Sequence, residues 1–489
     1  MIYINLDEEY RVEAYELIKL FIPEDKFVFS ITEDLSEKDP VLSCNIEKDG
    51  HKNYITVVLN QNKQSLYNKT MEIITREDEL PKALKLPVKK LLYEALNVYT
   101  GKKLPWGILT GIRPVKIVHR LIDKNISINE ISSTLKNYYK ISGKKTDLLI
   151  EVAENNREYL EKGRNHISVY IGIPFCKSKC LFCSFSSISS VRYGCLVPDY
   201  LNALKKEVEW VSNWVKNHNL LIDTVYIGGG TPTAISDDDF KRLLNDIVPC
   251  LPLNNLKEYT VEAGRPDTIN REKLRAMKNA GVSRISINPQ TMKDETLRLI
   301  GRNHTASEIE QSFYMAREEN FSNINMDLIT GLPGETPDDF KYTMDRIRMF
   351  DPENITVHTM AVKRASRLNE NRQSFDRAGD DEVSDMIETA MHITRDMGMK
   401  PYYLYRQKNI LANLENVGYA KQGYEGIYNI LMMEEVQSII ALGAAGVTKI
   451  LYPDSRIKRI FNIKNVEQYI NRIDEMIKRK EKAVIEFLP

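Results

Sequence analysis

From residue 168 onward, the sequence alternates short apolar runs with longer amphipathic stretches. The short runs read SVYIGIPF, TVYIGGG, EYTVEAG, RISINPQ, NINMDLITG and NITVHTM. Between them, helical apolar spacing covers residues 199–216, 236–248, 268–280, 306–319 and 336–350. Six strand–helix units in series predict an α/β fold with a parallel sheet and right-handed crossovers, enough for a partial (β/α)6 barrel. In such barrels the chemistry lies at the carboxyl ends of the strands.

The regions on either side of the barrel have different patterns. Residues 1–164 predict an α+β accessory domain, because HKNYITVVLN alternates like a strand and LPKALKLPVKKLLYEALNVYTG has helical spacing that ends at Gly101. We assign residues 165–400 to the barrel. Residues 401–489 predict a small mixed C-terminal region that closes the active site, with a tyrosine-rich stretch, LGAAG and the amphipathic helix NVEQYINRIDEMIKRKEKAV.

Composition limits the class of protein. Lys plus Arg and Asp plus Glu both total 68 in 489 residues, and this balance argues against a polyanion-binding surface, so no nucleic acid is expected. The most apolar region, NILMMEEVQSIIALGAAGVTKI, is interrupted by Glu434 and Glu435, so we expect no membrane span. The acidic N-terminus does not read as a signal peptide. We therefore predict a cytoplasmic protein with reduced thiols, in which a disulfide framework is the weaker explanation of clustered cysteines.

Three of the six cysteines, Cys176, Cys180 and Cys183, follow the first barrel strand with the spacing C-x3-C-x2-C. Thiolates are the ligands of iron–sulfur clusters. Structural zinc prefers four ligands, and the next cysteine, Cys195, would have to fold back to contribute. Three small core residues are the other alternative. The spacing favours a cluster with one open iron, where a small molecule could be chelated and receive an electron.

These residues carry a resemblance. The spacing, with Phe182 before the last cysteine, is similar to the signature of the radical S-adenosylmethionine (SAM) superfamily. YIGIPFC and CLFCSF resemble the branch with oxygen-independent coproporphyrinogen III oxidase and the haem chaperone HemW. LTGIRP, YYLYRQKN and NLENVGYAKQG resemble HemZ-type coproporphyrinogen dehydrogenases. The resemblance implies a 4Fe-4S cluster on the three cysteines, S-adenosyl-L-methionine as second cofactor, a tetrapyrrole substrate, and reduced flavodoxin or ferredoxin as electron donor.

The resemblance also implies which residues bind SAM. The segment IGGGTPT would hold its amino-acid end, Glu262 its α-ammonium group, Gln290 and Asp327 its ribose, and Arg302 its carboxylate and ribose. The full set of SAM-binding candidates is Tyr170, Phe182, Gly228, Gly229, Gly230, Thr231, Glu262, Gln290, Arg302, Asp327, Ile329 and Ala361. Ile329 and Ala361 match positions flanking the adenine. Without the resemblance, these residues could form a turn, strand-end bonds to loop amides or a solvated helix end.

Tyr170 matches a tyrosine that touches the sulfonium and approaches the substrate, so it is the catalytic candidate. A strand tyrosine can equally be a core residue. Arg113, Tyr403 and Arg406 are candidates for contacts with the substrate, the arginines answering propionates, although an aromatic strand packed on the barrel would explain Tyr403 as well. We interpret His304 as a polar residue at a helix start rather than a haem contact.

The function implied by the resemblance is an oxidoreductase of haem biosynthesis. It would convert two propionates of coproporphyrinogen III into vinyl groups and give protoporphyrinogen IX. Two departures keep other functions open. Phe185 stands where the better-known bacterial oxidase has a fourth cysteine, and GIYNILMMEE does not preserve the HemW haem-binding signature. The alternatives are another radical SAM tetrapyrrole enzyme, acting by methyl transfer or haem-ring opening, and a non-enzymatic haem chaperone or carrier.

Overall fold

The computed structural model describes most of the chain. The described residues are 1–29, 38–76, 80, 82–160, 163, 165–363, 366, 368 and 378–484. They form two compact units, Met1–Ile150 and Glu151–Pro489. The three-part division made from the sequence stays a prediction.

The N-terminal unit contains a five-stranded sheet in the order β2-β1-β3-β4-β5. Its strands are β1 Ile2–Asn5, β2 Phe27–Val28, β3 Val41–Asp49, β4 Lys52–Gln61 and β5 Gln64–Ile74. The helices are α1 Glu8–Phe21, α2 Lys85–Thr100, α3 Val115–Ile122, α4 Ile128–Asn137 and α5 Gly143–Asn156, the last of which continues beyond Ile150. The strand and helix predicted here correspond to β4 and α2. Gly101 ends α2 with a left-handed φ of 69°, which glycine adopts without steric cost.

The second unit contains the predicted parallel sheet. Its strands up to residue 359 are β6 His166–Ile173, β7 Phe175–Cys176, β8 Ile188–Ser189, β9 Leu221–Gly229, β10 Glu258–Gly264, β11 Arg284–Ile287, β12 Ile324–Thr330 and β13 Asn354–Thr359. Six of them pair in parallel in the order β6-β9-β10-β11-β12-β13. This order confirms the partial barrel, and it places the carboxyl ends of all six strands at one rim.

Helices connect successive barrel strands as predicted. The helices of this unit are α6 Ser190–Tyr193, α7 Val197–Asn217, α8 Asp237–Arg242, α9 Arg271–Asn279, α10 Asp294–Leu299, α11 Ala306–Glu318, α12 Pro337–Phe350, α13 Asp380–Asp396, α14 Ile427–Glu434, α15 Val466–Asn471 and α16 Ile473–Val484. Thr305 and Thr336 start α11 and α12 through capping boxes with Glu308 and Asp339. The stretch predicted as one helix over 236–248 is instead α8 followed by a π-helical turn at Leu243–Ile247.

The C-terminal region extends the same sheet at both edges. The added strands are β14 Lys400–Tyr405, β15 Asn416–Ala420, β16 Ser438–Leu442, β17 Val447–Leu451 and β18 Ile457–Phe461. β15 and β14 continue antiparallel from β13, whereas β16 pairs in parallel with β6. The sequence analysis missed β16, because its four apolar residues, Ile439–Leu442, lie inside a longer apolar stretch with no strand-like alternation.

The predicted C-terminal helix is broken in two at Arg472. A straight helix would separate Tyr469 and Lys480 by about 16 Å along its axis. With the break, both side chains reach the carboxylate of Glu207 on α7. Within the described residues, no helix combines the length and the apolar character needed to cross a membrane.

Candidate active site

The cysteine loop lies at the carboxyl-end rim of the barrel. The chain leaves β6 through Pro174, Cys176 ends the short strand β7, and Cys180 and Cys183 follow. All three are free thiols and line one cavity of about 260 Å³. The predicted ligands are therefore brought together at the rim.

The three thiols line one cavity, and an iron–sulfur cluster is a group that three such thiolates could hold. Among the described residues, no group of three or more His, Cys, Asp or Glu side chains is placed to hold one metal ion. In an iron–sulfur cluster each thiolate binds a different iron, so cysteines spread around a cavity are compatible with it. Burial raises the pKa of the Cys176 and Cys183 thiols, so binding a cluster there would release protons.

The glycine segment after β9 supplies space beside the cysteine loop. Gly229 has a φ of 107°, and a Cβ on Gly228 would lie 2.9 Å from the Glu262 carboxyl group. The amides of Gly230 and Thr231 donate to the carbonyls of Ile173 and Phe175, at 2.9 and 2.8 Å. These two amides therefore bond to the end of β6 and the start of β7 and are not available to a ligand. The glycines contribute to a ligand site by leaving space that side chains would fill. Gly229, Gly230 and Thr231 line the cavity, whereas Gly228 lies behind it.

Glu262, at the end of β10, places a carboxylate in the cavity wall without a cation beside it. Its Oε1 accepts a hydrogen bond of 2.6 Å from the Tyr226 hydroxyl, and the Gly229 amide also donates to the carboxylate. No lysine or arginine among the described residues pairs with it. Burial, together with the charge of Asp327, raises the pKa of Glu262 to about 7. The group is suited to receive a cationic ligand atom such as an ammonium.

Asp327, on β12, has the opposite electrostatic situation. Burial opposes its ionisation, but hydrogen bonding with His358 and the charge of that residue lower its pKa below the ordinary value. His358 Nε2 lies 3.9 Å from Asp327 Oδ2, and its Nδ1 lies 3.2 Å from the Tyr405 hydroxyl. Asp327 therefore presents a charged acceptor to the cavity, as recognition of ribose hydroxyls requires.

Gln290 and Arg302 also line the cavity. Gln290 has a left-handed φ of 70°, a conformation that costs about 1–3 kcal/mol for a residue with a side chain. Its amide donates to the Asp327 carbonyl and its carbonyl accepts from the Ile329 amide, so β12 holds it in place. Arg302 is only 6% exposed and donates from Nη1 to the Asn288 carbonyl, while its buried Nε has no partner among the described atoms. An unpaired buried guanidinium nitrogen is costly unless a ligand accepts from it.

Apolar contacts complete the cavity. Ile329 and Ala361, 6% and 7% exposed, lie in its wall at the ends of β12 and β13, and Phe182 lies between the last two cysteines. An adenine ring would find flat apolar contacts on these residues.

Tyr170 lies next to the cavity but is not part of its wall. Its ring stacks on Tyr226 and Tyr428 with centroids 6.1 and 6.3 Å apart, and its hydroxyl is 3.2 Å from where a Gly229 side chain would begin. Tyr428 opens α14, whose first two amides bond to Glu258 at 2.6 and 3.3 Å. The catalytic role of Tyr170 stays a prediction.

The substrate candidates lie outside the cavity wall or in the other unit. Tyr403 is buried and packs against Gly418. Arg406 is buried and donates from Nη2 to Asn413, and burial lowers its pKa to about 10. Arg113 belongs to the N-terminal unit, in the segment before α3. Their contacts with a substrate stay predictions.

His304 directly precedes Thr305, the N-cap of α11, so it lies at a helix start as the sequence indicated, and it is buried there. Only 4% of the residue is accessible, its Nδ1 lies 3.9 Å from Asp267 Oδ1, and both ring nitrogens have no bonded partner among the described atoms. Burial, reinforced by the charge of Arg302, lowers its pKa to about 4, so the ring is neutral near pH 7.

The sequence analysis missed several residues of the cavity wall. These are Ser178, Lys179, Arg265, Asn288, His358, Lys363, Gln407 and Asn416. Asn288 and His358 lie at strand ends, so the strand-end rule could have found them. Arg265 directly follows β10 and Asn416 begins β15, so the same rule applies to them. Ser178, Lys179, Lys363 and Gln407 lie outside the strands, on segments whose course toward the rim no periodicity indicates.

Comparison with known proteins agrees with this geometry. The profile of the Radical SAM superfamily matches residues 170–347. The oxygen-independent coproporphyrinogen-III oxidase-like protein HemZ of Bacillus subtilis is 40% identical over 411 residues, which are 83% of this chain and 82% of that protein. The heme chaperone HemW of Bacillus subtilis is 38% identical over 197 residues, which are 40% of this chain and 51% of that protein.

A solved structure shares the fold. Coproporphyrinogen III oxidase (HemN) from Escherichia coli superimposes with a TM-score of 0.52 at 21% identity, covering 65% of this chain and 72% of that one. Radical SAM proteins use a 4Fe-4S cluster and SAM, and the three thiols, Glu262, Asp327 and the apolar wall fit these groups. The chain belongs to the radical SAM superfamily and, within it, to the family of the HemZ-type oxygen-independent coproporphyrinogen-III oxidase-like proteins.

Proposed function

We propose that the protein decarboxylates two propionate side chains of coproporphyrinogen III to vinyl groups and so forms protoporphyrinogen IX. The observation that carries this proposal is the likeness to HemZ, which extends over four-fifths of both chains. The likeness to the HemW of the same organism covers 51% of that protein, so the chaperone function has the weaker support.

The cavity residues would divide the binding of the cofactors between them. Cys176, Cys180 and Cys183 would hold the cluster. Glu262 would pair with the α-ammonium group of SAM, and Arg302 would donate to its carboxylate. When bound, the cluster and SAM supply hydrogen-atom abstraction by an organic radical. The polar wall around Asp327 and the apolar wall around Ile329 would hold the nucleoside and exclude water.

Two lysines of the cavity wall suit a substrate with several carboxylates. Lys179 and Lys363 both lie near enough to Cys183 to interact with it electrostatically. Neither forms an ion pair with another described residue. Burial lowers the pKa of Lys363, a cost that a bound carboxylate would offset. The amides of Gln407 and Asn416 lie in the same wall and could donate to further carboxylate oxygens.

The proposed reaction balances for each side chain. One hydrogen atom leaves the β-carbon of the propionate, and the carboxylate then departs as CO2. The remaining electron passes to an oxidised one-electron carrier, which leaves a carbon–carbon double bond. One SAM and one electron from reduced flavodoxin or ferredoxin are consumed for each vinyl group formed.

An anaerobic turnover experiment tests the proposal. The reconstituted, reduced protein receives SAM and coproporphyrinogen III, and mass spectrometry follows 5′-deoxyadenosine and the loss of two carboxyl groups. We expect both products from the wild type and neither from Cys183→Ala, whereas Cys195→Ala, which changes an exposed cysteine of the same segment, should behave as the wild type.

Other outcomes would replace the proposal. Deoxyadenosine without any change in the porphyrinogen would retain the radical chemistry and reject this substrate. Full iron content without deoxyadenosine, combined with stoichiometric retention of haem, would favour the chaperone.

A further inference from the structure

Arg265 is a buried arginine at the cavity that no motif singled out. It follows β10 directly, at the rim where the cysteine loop lies, and is 3% exposed. Its backbone is fixed as well, since its carbonyl accepts from both the amide and the hydroxyl of Thr268, at 3.0 and 2.8 Å. The backbone from which the guanidinium extends is therefore held in place.

The guanidinium donates hydrogen bonds to two residues. Nε and Nη2 donate to the two carboxylate oxygens of Asp267, at 3.0 and 3.2 Å. Nη1 donates to both the hydroxyl and the carbonyl of Ser178, at 2.7 and 3.2 Å. Asp267 orients the planar fork, and the fork in turn holds the residue that lies midway between Cys176 and Cys180.

Neighbouring contacts hold the same short segment of the loop. The Ser178 hydroxyl donates to the Gly301 carbonyl at 3.0 Å, and the Leu181 amide donates to the Ile300 carbonyl at 2.9 Å. The Lys177 ammonium bonds to the backbone carbonyl of Asp267. Arg265 is the one guanidinium among the described residues that bonds to this segment directly.

The position of Arg265 also matters electrostatically. Arg265 lines the same cavity as Cys176, Cys180 and Cys183. A cluster becomes more negative when it is reduced, so a fixed positive charge beside its ligands favours the reduced form.

We propose that Arg265 is a positioning residue for the cluster-binding loop, which fixes Ser178 and hence the separation of Cys176 and Cys180 and stabilises the reduced cluster by its charge. The inference concerns the cofactors of the superfamily and does not depend on which tetrapyrrole is the substrate. A purely structural arginine would tie the segment after β10 to Asp267 and leave the cluster unaffected.

Four variants separate these roles in the full-length, anaerobically reconstituted protein. Arg265→Gln removes charge and fork, Arg265→Lys keeps the charge, and Ser178→Ala removes the hydroxyl held by the fork. Arg275→Gln is the matched control, because Arg275 lies on the following helix and its side chain is 64% exposed. The readouts are the rate of iron loss to a chelator and the reduction potential from a redox titration followed by electron paramagnetic resonance.

We expect Arg265→Gln to lose iron about 10- to 100-fold faster than the wild type, the range typical of residues that orient metal ligands. Its reduction potential should shift to a more negative value. Arg265→Lys should also lose iron faster but shift the potential less, and Ser178→Ala should accelerate iron loss with little change in potential. Arg275→Gln should match the wild type in both.

Two results would overturn the inference. One is iron loss from Arg265→Lys and Ser178→Ala at the wild-type rate, which would show that the fork does not position the loop. The other is an unchanged potential in Arg265→Gln, which would remove the role of the charge. If Arg265→Gln fails to fold, the milder Ser178→Ala and Arg265→Lys decide the positioning role through their rates of iron loss. Another uncharged replacement, Arg265→Met, then takes the place of Arg265→Gln in the redox titration that decides the role of the charge.

Discussion

Glu207 and Glu262 are both enclosed by the barrel unit, and they differ in what surrounds the carboxylate. Glu207 on α7 accepts hydrogen bonds from the Tyr469 hydroxyl at 2.6 Å, the Gly443 amide at 2.8 Å and the Asn462 amide group at 2.9 Å. It also forms an ion pair with Lys480, and both residues are at most 1% exposed. Every part of this carboxylate is bonded to the protein.

Glu262 has two hydrogen-bond donors, and no lysine or arginine among the described residues forms an ion pair with it. The protein leaves this carboxylate incompletely compensated, and the raised pKa of about 7 is the consequence. The partners of the two carboxylates therefore indicate two different roles for acids inside one fold. A saturated carboxylate joins elements together, whereas an unsaturated one at a strand end is available to a ligand.

The largest expected effect is the loss of the cluster that would bind in the cavity lined by Glu262. Cys180→Ala should lose the cluster and all SAM cleavage, because two cysteines cannot hold a 4Fe-4S cluster in place. Its thermal stability without cofactors should remain close to that of the wild type. Iron content and deoxyadenosine formation measure the first effect, and circular dichroism measures the second. Cys250→Ala, away from the rim, is the control; cluster retention in Cys180→Ala would refute the assignment.

The saturated site should respond to mutation through stability. Lys480→Met leaves the Glu207 charge buried without its cation, which costs about 3–5 kcal/mol of unfolding free energy. SAM binding to the reconstituted protein should not change. Urea unfolding followed by circular dichroism gives the first quantity and calorimetric titration the second.

The matched control for this change is Lys478→Met, because Lys478 lies exposed on the same helix. The double variant Glu207→Gln/Lys480→Met should lose less stability than the two single changes together, since it leaves no unpaired charge. A loss of SAM affinity in Lys480→Met would contradict the separation of the two sites.

The unsaturated site should show the reverse pattern. Glu262→Gln removes the charge that would pair with the α-ammonium group of SAM, so affinity should fall by about 1.5–3 kcal/mol, the value of a charged hydrogen bond. Stability without ligand should not fall, because the change removes a half-buried carboxylate that has no ion pair with a lysine or arginine among the described residues. Glu467→Gln, an exposed change on α15, is the control. Equal SAM affinity in Glu262→Gln and wild type would show that another group binds the ammonium.

The sequence predicted the unsaturated site better than the saturated one. Glu262 and Asp327 lie on, and Gln290 lies just after, consecutive parallel strands, and all three line one cavity. The strand pattern predicted this rim, and the resemblance to the radical SAM superfamily selected the residues on it. Glu207 and Lys480 are far apart in the chain and meet only because α15 and α16 are separated at Arg472, which no periodicity indicates. Lys363 was missed for the same reason, since an irregular segment after β13 carries it to the rim. Local sequence patterns do not predict contacts between residues that are far apart in the chain and are brought together by irregular backbone.

The pH dependence of SAM binding gives the smallest and most specific test of the comparison. Because Glu262 has a pKa of about 7 in place of its ordinary 4.5, its carboxylate is charged above about 7 and increasingly neutral below it. Affinity for SAM should therefore weaken by up to about tenfold per pH unit as the pH falls below that value.

The pH dependence of folding stability has the opposite sign. The raised pKa stabilises the ligand-free fold at acid pH, and this contribution is lost as the pH rises from 4.5 through about 7. The SAM affinities of wild type and Glu262→Gln should differ above about pH 7 and converge as the pH falls, because protonation removes from the wild type the charge that the variant lacks at every pH. Any titration of SAM itself is common to both proteins. Parallel curves for the two proteins would assign the dependence to another group, and Glu262 would then resemble Glu207 in being a structural acid.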